Sequence, residues 1–374
     1  MNRQTQSQHS VALLATGDEI INGDILNTNA QEIAQRLITN GIPVGTHMTV
    51  GDNLAEISLA IKQLLQHHRA LIITGGLGPT TDDLTRYALG EALNRELLFD
   101  EPTWQRILDR FTKMGYTTPT ENNRQQALFP ENAVIIPNAH GTASGCILKD
   151  DENFIFMLPG PPLECLPMVD KVVIPALKIA DFQQLQYNAK WLLFGVSEGH
   201  IAEQLEEKVK DYDCTPGYRV WYPYVEFKLH SSNENDFNEL VPLIEAELAP
   251  YMIENGKSSA SELLKNKLLT LTQPLTIIDL ATGGSLEATI KTPETSAKVN
   301  FNTANNDAGI TVQITGLSDY WQQHQTTKTT LEITFMQQGK VKSETFTLPY
   351  RGKRVKLYAV EFICQKIYRY LIPA

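Results

Sequence analysis

The sequence predicts an α/β protein of three domains. The first carries a mostly parallel sheet covered by helices on both faces, the second is a small α+β module, and the third is again α/β. Three observations predict this. Short apolar runs alternate with amphipathic helical stretches over the first 180 residues, then the rhythm changes to strand, helix, two strands, helix, and a polar stretch near Glu254 precedes a further mixed segment. At 374 residues the chain also exceeds the roughly 100 to 200 residues of one domain, so boundaries are expected at 1–180, 181–255 and 256–374.

Each element has a local reason. Residues 11–15 (VALLA) are short, apolar and closed by Thr16-Gly17, a buried strand. From Asn29, the side chains of Ile33, Leu37 and Ile38 share a helical face, and Asn40-Gly41 supplies the stop. A strand at 44–50 leads into Gly51-Asp52-Asn53 and a helix over 54–67, with Ile57, Ile61, Leu64 and Leu65 inward and Asp52 or Asn53 as cap. Residues 70–74 (ALIIT) form the next strand, followed by GGLGPTTDD and a helix over 84–93. Trp104, Ile107, Leu108, Phe111 and Met114 mark another amphipathic helix, and 133–136 and 154–158 are strands before the turn at Pro159. The second domain reads as strands at 188–194, 218–222 and 225–231 with helices at 197–210 and 236–248; 254–261 is expected to be a linker. The third begins with a helix at 260–271, has strands at 275–280, 310–314, 329–335 and 341–348, and closes with a helix at 354–371; 292–307 is expected to be an exposed or mobile loop.

Composition narrows the function. With 42% hydrophobic and 20% charged residues the chain can bury real cores, and its net charge of −11 argues against a broad basic face for nucleic acid. No apolar run approaches the ~20 residues that span a bilayer, and MNRQTQSQHS lacks a secretory apolar core, so a soluble cytoplasmic protein with no membrane partner is expected. Cys146, Cys165, Cys214 and Cys364 are scattered and read as free thiols. His67-His68, at a helix end, reads as a favourable C-terminal cation.

The densest chemical signal is TGGLGPTTDDLT. Gly75, Gly76 and Gly78 let the backbone approach a ligand, Pro79 stiffens the turn, and Thr80 and Thr81 add hydroxyl donors. Asp82 and Asp83 would repel a phosphate unless a cation sat between, which points to a metal-bridged phosphate ester or pyrophosphate. The plainer alternative is a tight loop with one aspartate as a helix cap. Asp52 could share a cation with Asp83, act as base toward water, or merely cap its helix. Gly17, Glu19 and Asn22 lie in a second acidic, glycine-flanked loop. Asn122-Asn123-Arg124-Gln125-Gln126 could offer a cation and amides to a nucleotide, although Arg124 reads equally well as a surface charge. Gly160 and Glu164, just after a strand, suit a pocket rim, and 141–145 is another turn-rich loop.

GDEIINGDILNTN, VGDN, TGGLGPTTDDLT, NRQQA, GTASG and PGPPLE, in this order, resemble the N-terminal domain of the CinA (competence/damage-inducible protein A) family. That domain is similar to the three-layer molybdopterin-binding fold, whose GGTGxxxxD motif corresponds to Gly75, Gly76, Gly78 and Asp83, with a second aspartate at Asp52. The resemblance implies an ADP-ribose pyrophosphatase giving AMP and ribose 5-phosphate, dependent on a divalent metal (Mg or Co) and helped by potassium. It places Asp52 and Asp83 in catalysis and Asp52, Asp82 and Asp83 at the metal. An ADP-ribose-like nucleotide is the expected partner and a homodimer the expected assembly. Gln125 stands where the family has lysine, which puts phosphate affinity in doubt, and GTASGC and PGPPLEC also depart from the family pattern.

The middle domain is similar to the family's KH-like domain but lacks the GXXG clamp, so no nucleic-acid partner is implied. The last segment resembles the C-terminal amidohydrolase domain, which deamidates nicotinamide mononucleotide through a serine in an ESCTGG-type motif. Here that position is Leu280, with Ser285 five residues on, so a retained fold without the deamidase is expected. Residues 314–317 resemble the family's VTGIAGP loop with Ser318-Asp319-Tyr320-Trp321 replacing its continuation, and Arg351 to Arg354 match a structural turn. The competing readings are a non-catalytic nucleotide or pterin sensor, and a surviving deamidase, against which Leu280 argues.

Overall fold

The computed structural model describes residues 10–115, 119–303, 309–323, 328–349 and 352–372. Its contacts separate two units, Met1–Leu185 and Gln186–Ala374. In the first, β1 (Val11–Thr16), β2 (Val44–Val50), β3 (Ala70–Thr74) and β8 (Asn153–Leu158) are parallel neighbours in the order β2-β1-β3-β8, and β7 (Gly145–Asp150) and β6 (Val134–Ile136) extend the sheet antiparallel. Both faces of β1 are buried because its alternating side chains serve two cores. Val11 and Leu13 pack with Ile33 and Leu37, while Ala12 and Leu14 pack with Ile57, Ile61 and Leu64.

The helix α1 (Thr28–Thr39), capped by Asn27, buries Ile33 and Leu37. Ile38 is 44% exposed, because the residue after Leu37 is turned about 100° around the helix. In α2 (Leu54–Leu65) the cap is Asn53, which accepts from the N–H groups of Ala55 and Glu56, so Asp52 is released from that duty. The chain continues through α3 (Thr85–Leu93), a two-stranded sheet of β4 (Leu97–Phe99) and β5 (Leu128–Pro130), and α4 (Glu101–Lys113). Of the expected α4 stripe, Ile107 is buried and Met114 lies exposed beyond the helix. At the end of α2, His67 is exposed and His68 is buried between Ser10 Oγ (2.8 Å from Nδ1) and Thr46 Oγ1 (2.9 Å from Nε2). After α5 (Pro162–Met168) and α6 (Ile174–Ile179) the unit runs on to Leu185, with Phe182 buried and Gln184 N–H donating to Gly41 O at 2.8 Å.

In the second unit, β9 (Tyr187–Phe194), β10 (Cys214–Trp221) and β11 (Tyr224–Ser231) form an antiparallel sheet, joined by α7 (Glu198–Val209) and α8 (Glu234–Leu248). One face packs Trp191, Leu193 and Phe227 against these helices. The other sends Leu192, Phe194 and Tyr224 into the core of residues 260–371, so the sequence-expected second and third domains share a core. The supposed linker is docked: Gly256 O accepts from Leu192 N–H at 2.7 Å, and Ser259 caps α9 (Ala260–Leu269). Tyr224 Oη accepts from Ala260 N–H (2.8 Å) and donates to Glu361 (2.7 Å).

The last sheet has the order β13-β12-β14-β15-β16, made of β12 (Leu275–Asp279), β13 (Val299–Phe301), β14 (Thr311–Gly316), β15 (Lys328–Gln337) and β16 (Lys340–Pro349), with α10 (Ser285–Ile290) after β12 and α11 (Arg354–Leu371) closing the fold. The stretch expected as a loop thus contains β13 and a buried Thr295, while Asp307 and Arg351 lie outside the described residues. All four cysteines are free, and burial pushes the Cys146 and Cys165 thiols up to about 12. Among the described residues no helix is long and apolar enough to cross a membrane.

Candidate functional site

The carboxyl ends of β1, β3 and β8 open onto one cleft of about 560 Å³, the position at which parallel α/β sheets bind ligands. Gly17 and Glu19 reach it from the segment after β1, Asp52 from the turn after β2, Gly75, Gly76, Gly78, Asp82 and Asp83 from the loop after β3, Gly160 from the loop after β8 and Glu164 from the first turn of α5. Gly75 has φ 103°, and a Cβ there would lie 2.4 Å from Thr16 O; at Gly76 it would lie 2.2 Å from Thr85 Oγ1. Only glycine lets the loop fold back this closely on β1.

The loop is held from both sides. Asp83 Oδ1 accepts from Gly78 N–H at 2.7 Å, and Oδ2 accepts from Thr80 N–H at 2.8 Å and from Thr80 Oγ1. Behind it, Arg86 Nη2 donates to Leu77 O at 2.6 Å, and Gln125 Nε2 to Gly78 O (3.1 Å) and Thr80 O (2.8 Å). Gln125 therefore works on the loop's own carbonyls. Arg86 is 1% exposed, and burial draws its guanidinium down to about 10.

Asp18 and Asp52 exchange backbone hydrogen bonds: Asp18 N–H donates to Asp52 Oδ2, and Asp52 N–H donates to Asp18 Oδ1, each at 3.0 Å. Burial raises the Asp52 carboxyl above its ordinary range, and the charges of Asp18, Glu19 and Asp82 push the same way against the backbone hydrogen bond. Among the described residues no three His, Cys, Asp or Glu side chains are gathered to hold a metal by themselves. A hard cation of the Mg²⁺ type asks for less, since it binds through one or two carboxylates, waters and the ligand's phosphates. Oxygen donors whose negative charges oppose one another, as around Asp52, fit that requirement.

Five expected residues do not line the cleft: Asn22, Thr80, Thr81, Asn123 and Arg124. Thr80 is committed to Asp83. Asn123 is buried, accepting from Thr120 N–H at 2.9 Å and donating to Gln126 Oε1 at 3.2 Å. The Arg124 guanidinium packs over Phe99 (4.6 Å) and Trp104 (5.4 Å) and pairs with Glu121. Gln126, two residues on, does face the cleft, as do Asn29 and Thr142. Its signal was the 3₁₀ turn Glu121–Ala127, in which positions i and i+3 align and set Asn123 and Gln126 on the inner side.

In the second unit the turn after β12 is differently furnished. Leu280 is 64% exposed, and Asp279 accepts from Ala281 N–H (3.0 Å) and Thr282 N–H (2.8 Å). Trp321 Nε1 donates to Ala281 O at 2.7 Å, and its ring lies 2.6 Å from where a Cβ on Gly283 would stand. Residues 318–321 thus deliver an indole onto the Gly283 turn. Ser285, the first residue of α10, offers its backbone carbonyl to Thr289 Oγ1 at 2.8 Å.

Residues 12–179 match the family model described as a probable molybdopterin binding domain. The chain is 34% identical over 287 residues to a CinA-like protein of Dictyoglomus turgidum, covering 74% of this chain and 68% of the relative. It is 35% identical over 286 residues to a CinA-like protein of Geobacter sulfurreducens, covering 73% and 68%. The crystal structure of the protein CinA with unknown function from Thermoplasma acidophilum is 29% identical, covers 46% of this chain and 99% of that one, and superposes with a TM-score of 0.43.

Proposed function

Because this chain belongs to the CinA-like protein family, with a molybdopterin-binding-like domain over residues 12–179, we propose that its first unit is a metal-dependent nucleotide pyrophosphatase that hydrolyses an ADP-ribose-like substrate to AMP and ribose 5-phosphate. One observation carries the reading: Asp52 and Asp82, from separate turns, meet the glycine loop in a single cleft at the sheet's rim. Water adds to one phosphorus, the bridging P–O bond breaks, and the released proton passes to Glu19 on the acidic wall. Asp52 and Asp82 would hold the cation, Mg²⁺ or Co²⁺, which supplies charge neutralisation for the leaving phosphate when bound. The Gly76-Leu77 stretch of the loop faces the diphosphate, and Asp83 acts by fixing that stretch through the N–H groups of Gly78 and Thr80. No deamidase is proposed, since Leu280 has no nucleophilic atom.

Pure protein incubated with ADP-ribose and Mg²⁺ or Co²⁺ is expected to form AMP, and Asp83→Ala to lose about a hundredfold or more of that rate. Absence of AMP, or equal AMP from Asp83→Ala, would overturn the reading.

A further inference from the structure

The cleft has an electrostatic imbalance. Its lining includes Glu19, Asp52, Asp82, Asp83 and Glu164, and no lysine, arginine or histidine among the described residues. A diphosphate approaching this wall meets the same sign of charge as its own. One cation stands directly behind it. Arg86 is buried beneath the glycine loop, donates to Leu77 O (2.6 Å) and Gly78 O (3.4 Å), and forms no ion pair among the described residues. Its Nε has no partner there either. A buried, unpaired guanidinium is costly, and a neutral donor such as Gln125 or Gln126 already serves the same two carbonyls. The loop's hydrogen bonds therefore do not need the charge, whose one attraction to an acidic residue is to Asp83, on the cleft side of the loop.

We propose that Arg86 is a positioning residue of the glycine loop that supplies, from one layer behind the peptide chain, the positive charge the cleft wall lacks, and so selects ligands bearing a pyrophosphate. This rests on the reading of the cleft as a diphosphate site. A charge in the dry layer under the loop is poorly screened, so its field crosses the thin glycine backbone to the ligand. The guanidinium fork also fixes Leu77 and Gly78 with their carbonyls turned away from that ligand.

The test is calorimetric binding of inorganic phosphate and inorganic pyrophosphate, each with Mg²⁺, to the full chain as wild type and Arg86→Gln, with circular dichroism as fold control. Arg86→Gln is expected to weaken pyrophosphate by about tenfold or more and phosphate by less, because the lost attraction scales with the charge of the probe. Unchanged affinity, or the same loss for both probes, overturns the inference. If Arg86→Gln does not fold, Arg86→Lys decides: the retained charge predicts pyrophosphate affinity within about threefold of wild type, and a tenfold loss with an unchanged spectrum overturns it. A wild type that binds neither anion overturns it too. A wild type that binds pyrophosphate yet makes no AMP from ADP-ribose sinks the pyrophosphatase reading alone.

Discussion

Asp52 is disfavoured as an anion by its own surroundings, with burial leading and Asp18, Glu19 and Asp82 adding to it. The folded chain therefore holds this proton more tightly than the unfolded chain does. Its contribution to stability is full below the ordinary carboxylate range and is lost as pH rises through the raised value. Asp52→Asn removes that repulsion and still accepts from Asp18 N–H. In chelator at pH 7.5 its melting temperature is expected to equal or exceed wild type, while the rise that Mg²⁺ gives wild type disappears. The same rise in wild type should shrink on acidification toward the carboxylate range, where proton and cation compete. Thermal melts with and without Mg²⁺ between pH 4.5 and 8 check both, and a clear drop for Asp52→Asn in chelator would show the residue to be structural. Sequence alone left Asp52 between cap and ligand; the choice of Asn53 as the cap of α2 depends on backbone geometry at Asn53 that composition does not reveal.

Elements were legible where burial imposes one period. The strands β1 and β3 and the helix α11 stand where the apolar runs put them, with the bounds of α11 unchanged. The strand β7 and the short β4 and β5 were missed, because GCILKD does not alternate and three-residue strands carry no periodic signal. The two readings of Arg124 are separated only by the structure, which gives the surface charge: a 3₁₀ turn aims neighbouring side chains apart, and a charge beside an amide says nothing about which faces the cleft. At the β12–α10 turn the resemblance implied Leu280 where a deamidase would need a serine, but gave no sign of Trp321 lying on Gly283. Since Trp321 sits on Gly283, restoring a hydroxyl by Leu280→Ser is expected to release no ammonia from nicotinamide mononucleotide, as is wild type. Turnover by either protein would mean that the indole leaves the turn open.

For the whole molecule, the sequence marked three rhythms where the contacts separate two units. The difference lies in Leu192, Phe194 and Tyr224, which are inward residues of one sheet and core residues of the next segment. Alternation in a strand shows that a side chain is buried, not which layer covers it. Residues 186–374 are accordingly expected to melt in one calorimetric transition. Tyr224→Phe, which deprives Ala260 N–H and Glu361 of a partner, should lower that transition by about 1–3 kcal/mol. Separate melting of 186–255 and 256–374, or an unshifted transition in Tyr224→Phe, would count against a shared core.

The distribution of indoles between the units has a practical outcome. Of four tryptophans, Trp191, Trp221 and Trp321 belong to the second unit, and Trp104 alone to the first, stacked near the Arg124 guanidinium. Intrinsic fluorescence during denaturation would therefore follow residues 186–374 through three indoles and the first unit through Trp104 alone, so Trp104→Phe would leave an emission that reports only the second unit.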